Sequence, residues 1–253
     1  MTGLATMTPQ ETAADDAFRH LPHLKGFLIP PEASKARVTP EVLAQWDEKV
    51  FALSGERHWR LSDAEREKGR LAVLQASPIS EDLWVFAYGS LMWDPGFHFA
   101  EVRHGELADH GRCFNYQVVA GRGTPAVPGL VLSLMPALGT HCKGLVFRVS
   151  AEQLEAETQI LWRREMLRAG YSPQWHTLQT PQGPVRALVF MASPGESMYV
   201  HGLSMAQTAQ RLAAAEGNLG KNRDYLHRLA EQLDCLGIPD PYISQLHKQV
   251  AAL

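Results

Sequence analysis

The sequence predicts an α+β fold: a compact, mixed, barrel-like sheet with flanking helices, preceded by an N-terminal helical extension. Three observations predict it. From Leu83 onward, short apolar runs punctuated by Gly and Pro read as strands. One amphipathic helix interrupts that series at about 151–169. The last fifty residues read as helices only. With 253 residues the chain has room for one large domain, or for one domain plus an extension. We place the division between an extension, 1–80, and a body, 81–253.

Residues 1–38 are rich in Ala, Pro and Thr and show no period, so they are expected to be partly disordered, with Phe27-Leu28-Ile29 docking on the body. Thr39-Pro40-Glu41 reads as an N-cap followed by proline at the first helical position. That helix would turn Leu43, Trp46, Val50 and Leu53 inward. Ser62-Asp63-Ala64-Glu65 fits a capping box that opens a second helix, and Ser77-Pro78 ends it. Leu83 to Tyr88 is nearly continuous in apolar residues, as in a strand buried on both faces. Further strands are expected at 113–119, 130–135, 144–149, 174–179 and 185–191. Helices are expected at 204–216, 222–235 and 239–250.

Composition excludes several classes. Hydrophobic residues make up 45% and charged residues 20%, the ordinary globular range. The formal net charge is −3 and no basic stripe stands out, so no nucleic-acid partner is expected. The start of the chain lacks the pattern of a secretory signal, and no apolar run approaches the ~20 residues of a membrane span. Cys113, Cys142 and Cys235 are odd in number and far apart, which points to buried free thiols in a reducing cytoplasm.

Two features carry chemistry. Within the interrupting helix, Leu154, Thr158, Leu161 and Glu165 fall on one face, with Ser150 as the expected N-cap and Gly170 as the expected stop. Glu165 therefore falls on the face that should meet the sheet. A buried carboxylate is costly unless compensated. It is either an ion-pair partner for Arg164, Arg168 or a strand arginine, or a general base with raised proton affinity. Periodicity alone does not choose. The second feature is the turn Tyr88-Gly89-Ser90-Leu91, where a strand ending in glycine aims backbone N–H groups into a concavity suited to an anion. Its Ser90 lacks the G-x-S-x-G context of a nucleophile elbow.

Other candidates are weaker. His98, His104 and His110 are spaced by six, which matches no common zinc pattern, so no metal is expected. Gly121-x-Gly123 lacks the third glycine of a dinucleotide fingerprint. Trp46, Trp84, Trp93, Trp162 and Trp175 read as core or pocket wall. Gly217 to Asn222 reads as a turn between helices.

Taken in order, Trp84 to Leu91, Arg122-Gly123 with Pro128-Gly129, Arg164-Glu165-Met166 before Gly170-Tyr171, and Gly220-x-Asn222-x-x-Tyr225-Leu226 resemble the ChaC family. That family comprises glutathione-specific γ-glutamylcyclotransferases. The resemblance covers about residues 83–250, fits the bacterial branch, and departs at Ala87, where many members have Gly. It implies a γ-glutamylcyclotransferase-like barrel without metal or organic cofactor. It implies that Val85, Phe86, Ala87, Tyr88, Gly89, Ser90 and Leu91 hold the γ-glutamyl group, mainly through backbone, and that Glu165 is the acid/base. Arg122 and Tyr225 are further pocket candidates, Arg122 as a fork for the glycine carboxylate of glutathione. The alternatives are a cyclotransferase for other γ-glutamyl amines or dipeptides, and a non-catalytic binding module of the same fold.

Overall fold

The computed structural model describes residues 17–76 and 82–253. Two helices precede the sheet, α1 (Pro40–Ser54) and α2 (Asp63–Gln75). Both start as the sequence dictates. The Thr39 hydroxyl accepts from the Val42 amide with proline in the first turn, and Ser62 and Glu65 form a complete capping box. Leu43 is buried and Trp46 and Val50 are half-buried. The side chain of Leu53, the stop at Ser77-Pro78 and residues 1–16 lie outside what is described.

The sheet contains β1 (Leu83–Ala87), β2 (Glu101–Val118), β3 (Gly129–Val149), β4 (Tyr171–Leu178) and β5 (Val185–Ala192), in the order β2-β3-β1-β5-β4. β1 runs parallel to β5, and the other pairings are antiparallel. β1 lies between β3 and β5 and is buried along most of its length, which is why its sequence is apolar without alternation. The two outer strands meet. Glu106 and Gln179 exchange both backbone hydrogen bonds, at 2.9 and 3.0 Å, and this bridge rolls the sheet into a barrel.

Two expected strands, 130–135 and 144–149, are the ends of one long β3. Between them lies an irregular stretch opposite Asp109, whose φ is +56° and whose carboxylate accepts from the Gly139 amide. β2 begins at Glu101, well before Cys113; its first half mixes charged, glycine and apolar residues without a clean alternation, so the sequence gives no strand signal there.

Helix α3 (Leu154–Glu165) joins β3 to β4 and is shorter than expected at both ends. Residues 151–153 form a turn and Gln153 takes the N-cap position without a side-chain bond, so Ser150 is not the cap. At the other end the chain leaves the helix at Met166. Gly170 is not the helical stop. It has φ +144°, and a Cβ there would lie 1.9 Å from the Tyr116 hydroxyl, so only glycine fits. Three helices follow, α4 (Met205–Ala214), α5 (Asn222–Cys235) and α6 (Pro241–Ala251), with a small hairpin of β6 (Glu216–Gly217) and β7 (Gly220–Lys221) between α4 and α5. Among the described residues no helix is long and apolar enough to cross a membrane.

Residues 17–38 depart from the expected disorder. Leu21, Leu24 and Leu28 are buried in the same core as the barrel, and the Ile29 amide donates to the Trp93 carbonyl at 2.9 Å. Phe27, by contrast, is exposed. Ion pairs reinforce the docking. Glu101 on β2 is buried and receives Arg19 and His20 from the extension together with Arg103 and Arg148 from the sheet. Arg70 of α2 is buried and donates to Glu67, Glu155 and Thr158, so α2 meets α3 through a guanidinium as well as through apolar contacts. Of the three thiols, Cys142 is buried, Cys113 half-buried and Cys235 exposed at the end of α5, against the expectation that all three are buried.

Candidate active site

The site forms where the end of β1, the end of α3 and the first turns of α5 meet. Leu161 and Trp162 are buried and fix the rotation of α3 about its axis. That rotation points Glu165, the last helical residue, inward, and its side chain keeps 17% of its surface exposed. Burial pushes the Glu165 carboxyl above its ordinary range, and the attraction and hydrogen bond of Arg164 oppose that rise without cancelling it. A helix C-terminus, which carries partial negative charge, also disfavours the carboxylate. Arg164 Nε lies 2.9 Å from Glu165 Oε1, an ion pair. Arg168, the other expected partner, instead stacks over Trp59.

The turn after β1 is held from several sides. Arg112 Nε donates to the Tyr88 carbonyl at 2.8 Å, and Gln232 Nε2 donates to the Met92 carbonyl at 2.8 Å. Ser90–Met92 form one turn of 3-10 helix. A Cβ on Gly89 would lie 2.9 Å from the Tyr225 hydroxyl, which explains the glycine. The Ser90 amide donates to that same hydroxyl, so one of the amides expected to face a ligand already has a partner. The Gly89 and Leu91 amides have no backbone acceptor among the described residues. Arg164 Nη2 donates to Ser90 Oγ at 3.0 Å, which joins the turn to α3.

Three phenols surround the carboxylate. Tyr88 donates to the Phe190 carbonyl at 2.5 Å and Tyr171 to the Leu132 carbonyl at 2.8 Å, so both protons are engaged. Burial raises the proton affinity of Tyr88, Tyr171 and Tyr225, and the charge of Glu165 adds to each rise. The rings of Trp93 and Phe114 pack edgewise on Tyr225, at 5.6 and 5.8 Å between centroids.

The structure thus gathers Glu165, Tyr88, Gly89, Ser90 and Tyr225. Val85, Phe86 and Ala87 are fully buried in β1 and position the turn from below. Arg122 lies in the β2–β3 loop and donates to the Lys221 carbonyl at 3.0 Å, beside the start of the helix that carries Tyr225. Asn222 is buried there and bonds both the amide and the carbonyl of Leu130, at 2.7 and 2.8 Å, locking α5 to β3. Sequence reasoning missed the roles of Arg112 and Asn222, whose partners are backbone atoms far away in the chain. His98 lies beside Glu32, and His110 packs on His176. Among the described residues no three metal-ligating side chains gather. Two hollows, about 450 Å³ between α1, α2 and α3 and about 400 Å³ beside His104 and Ile238, do not include Glu165. The chemistry of the group, not the size of a cavity, marks this site.

Comparison with known proteins bears on the family and the fold. A family model described as ChaC-like protein matches residues 83–253. The chain is 35% identical over 217 residues to a glutathione-specific gamma-glutamylcyclotransferase of Escherichia coli (strain K12), covering 85% of this chain and 93% of that protein. That stretch is longer than 83–253, so this likeness reaches into the helices before β1. The chain is 33% identical over 175 residues to glutathione-specific gamma-glutamylcyclotransferase 1 of Danio rerio, covering 67% and 89%. Among solved structures, a yeast gamma-glutamyl cyclotransferase specific to glutathione superposes with a TM-score of 0.63 at 21% identity, covering 68% of this chain and 96% of that one, which shows a shared fold.

Proposed function

The chain belongs to the ChaC-like protein family, and from that premise we propose that it is a glutathione-specific γ-glutamylcyclotransferase, releasing 5-oxoproline and Cys-Gly. The observation that carries the reading is Glu165: an inward carboxylate of raised proton affinity, tied through Arg164 to the glycine turn.

The substrate holds its own nucleophile. The α-amine of the γ-glutamyl group attacks the γ-carbonyl, a C–N bond closes a five-membered lactam, and the C–N bond to the cysteinyl nitrogen breaks. Selecting the folded-back conformer turns orientation into rate, an effect of several kcal/mol in well-aligned intramolecular reactions. At neutral pH the amine is an ammonium and cannot attack. Glu165 removes its proton, and the protons shed by the attacking nitrogen pass to the departing one, so the exchange balances. A carboxylate with proton affinity moved toward neutral suits both halves of that task. The Gly89 and Leu91 amides face the α-carboxylate or the developing oxyanion, and Tyr225 borders them. Ser90 accepts from a guanidinium and is not the nucleophile. Arg122 pairs with the glycine carboxylate of the substrate. The setting proposed is the cytoplasm, where free thiols persist.

The test is incubation of the purified chain with glutathione, with γ-glutamyl-alanine in parallel, and chromatographic assay of 5-oxoproline and Cys-Gly. Both products are expected from glutathione. Turnover of γ-glutamyl-alanine in place of glutathione would assign a cyclotransferase for other γ-glutamyl amines or dipeptides, equal turnover of both would remove the glutathione specificity, and no turnover of either would leave a binding module.

A further inference from the structure

We infer that Arg164 is the positioning residue of this site: one guanidinium holds the Glu165 carboxylate and the Ser90 turn in fixed relation, leaving Glu165 Oε2 to handle the substrate's protons. This rests on the proposed reaction. Neighbouring residues on a helix do not ordinarily face each other. Arg164 and Glu165 pair in the last turn of α3, just before the chain departs from helical geometry at Met166.

Every edge of the guanidinium has work. Nε lies 2.9 Å from Glu165 Oε1 in an ion pair, and Nη2 donates to Ser90 Oγ at 3.0 Å. Nη1 donates to the Pro95 carbonyl at 3.1 Å and to the Asp94 carbonyl. Those carbonyls belong to a loop fixed from its other side by the extension. Ser34 donates to Asp94 at 2.5 Å and Arg37 to the Gly96 carbonyl at 3.1 Å. The layer is thin: a Cβ on Gly96 would lie 3.1 Å from Arg164 Nη1 and 3.0 Å from the Ala36 carbonyl. A planar fork with five donors can satisfy such divergent acceptors together, and a point-like ammonium cannot.

The ion pair engages one carboxylate oxygen, Oε1. Arg164 has an electrostatic consequence as well. The charged and titratable groups near Glu165 are Arg164 on α3, Tyr88 after β1, Tyr171 on β4 and Tyr225 on α5. Arg164 is the cation among them. Without it, burial acts on the carboxylate unopposed.

Arg164→Gln and Arg164→Lys are compared with the parent chain by kcat, KM and the pH profile of kcat/KM on glutathione. Arg164→Gln should lower kcat by about 100-fold, the scale of misplacing a catalytic group by an ångström, with a smaller change in KM. Its acid limb should move to higher pH. Arg164→Lys should keep the limb near the parent position while kcat still falls by about tenfold, because charge survives and geometry does not. An unmoved limb in Arg164→Gln, or parental kcat in Arg164→Lys, overturns the inference. If Arg164→Gln does not fold, the Lys variant decides. If the parent does not turn over glutathione, the proposed reaction fails and Arg164 is judged separately, by carbon NMR titration of the Glu165 carboxyl assigned against Glu165→Gln. A midpoint unchanged between parent and Arg164→Gln then rejects the positioning role.

Discussion

Helix α3 carries two inward glutamates, one toward each end, and the fold treats them differently. Glu157 keeps 4% of its side chain exposed and receives Arg37 through both guanidinium branches, at 2.7 and 3.0 Å, plus the His98 amide at 3.0 Å. Glu165 keeps more exposure but has one guanidinium nitrogen at 2.9 Å and no such fork, and burial outweighs it. An anion surrounded by matched donors is a fastening between extension and body. An anion left short of donors has proton affinity to spare, and that is what a base needs. Under the proposed reaction, the contrast places the chemistry at Glu165 by how far each charge is compensated, where burial alone would point to Glu157.

The largest expected effect breaks the contrast at the under-compensated end. Glu165→Gln should cut 5-oxoproline release by ~100-fold or more, the usual scale for a general base. The acid limb of kcat/KM should vanish with it. Its effect on stability has the opposite sign. Burial sets the folded proton affinity above the unfolded value near 4.5, so the native state binds more protons across the window between the two. Stability is therefore lost as pH rises through that window, and at pH 7 the ionised carboxylate is a burden. The Gln variant should melt no lower than the parent at pH 7, and a clearly lower melting temperature there contradicts the assignment.

At the other end, Glu157→Gln leaves Arg37 facing a neutral amide. Breaking a buried pair from one side costs about 3 kcal/mol or somewhat more, read by urea unfolding. Activity per folded molecule should fall far less than in Glu165→Gln. If both variants lose chemistry equally, the two carboxylates are not distinct in role. The smallest effect sharpens the comparison from the substrate side. Arg122→Ala should raise KM for glutathione by about tenfold, the weight of one charge-assisted bond, and leave kcat near the parent value. An unchanged KM removes Arg122 from the pocket.

Several of these features were legible before the structure. The 3.6-residue period put Glu165 inward, Thr39 and Ser62 announced two helix starts, and the unbroken apolar run of β1 announced a central strand. What was not legible is carried by backbone atoms and by distant partners. Nothing local says that Arg164 would find the carbonyls of Asp94 and Pro95, or that Asn222 would bond Leu130. The path of the chain after α3 is set by Tyr116, which leaves no space for a side chain at Gly170 and bonds the Ala169 carbonyl. The segment before α1 looked structureless because its order comes from three leucines and from arginines paired across the fold, not from a repeating pattern.

The counterions of Glu101 have a consequence for the barrel's charge balance. Strand β2 carries this buried anion, and part of its neutralising charge arrives from Arg19, outside the sheet altogether. With Arg37 on Glu157, the barrel borrows cations from a stretch that precedes its first strand. Deprived of that loan, Glu101 would have Arg103 and Arg148 alone to hold its carboxyl below the ordinary range against burial, and Glu157 would lose its guanidinium fork.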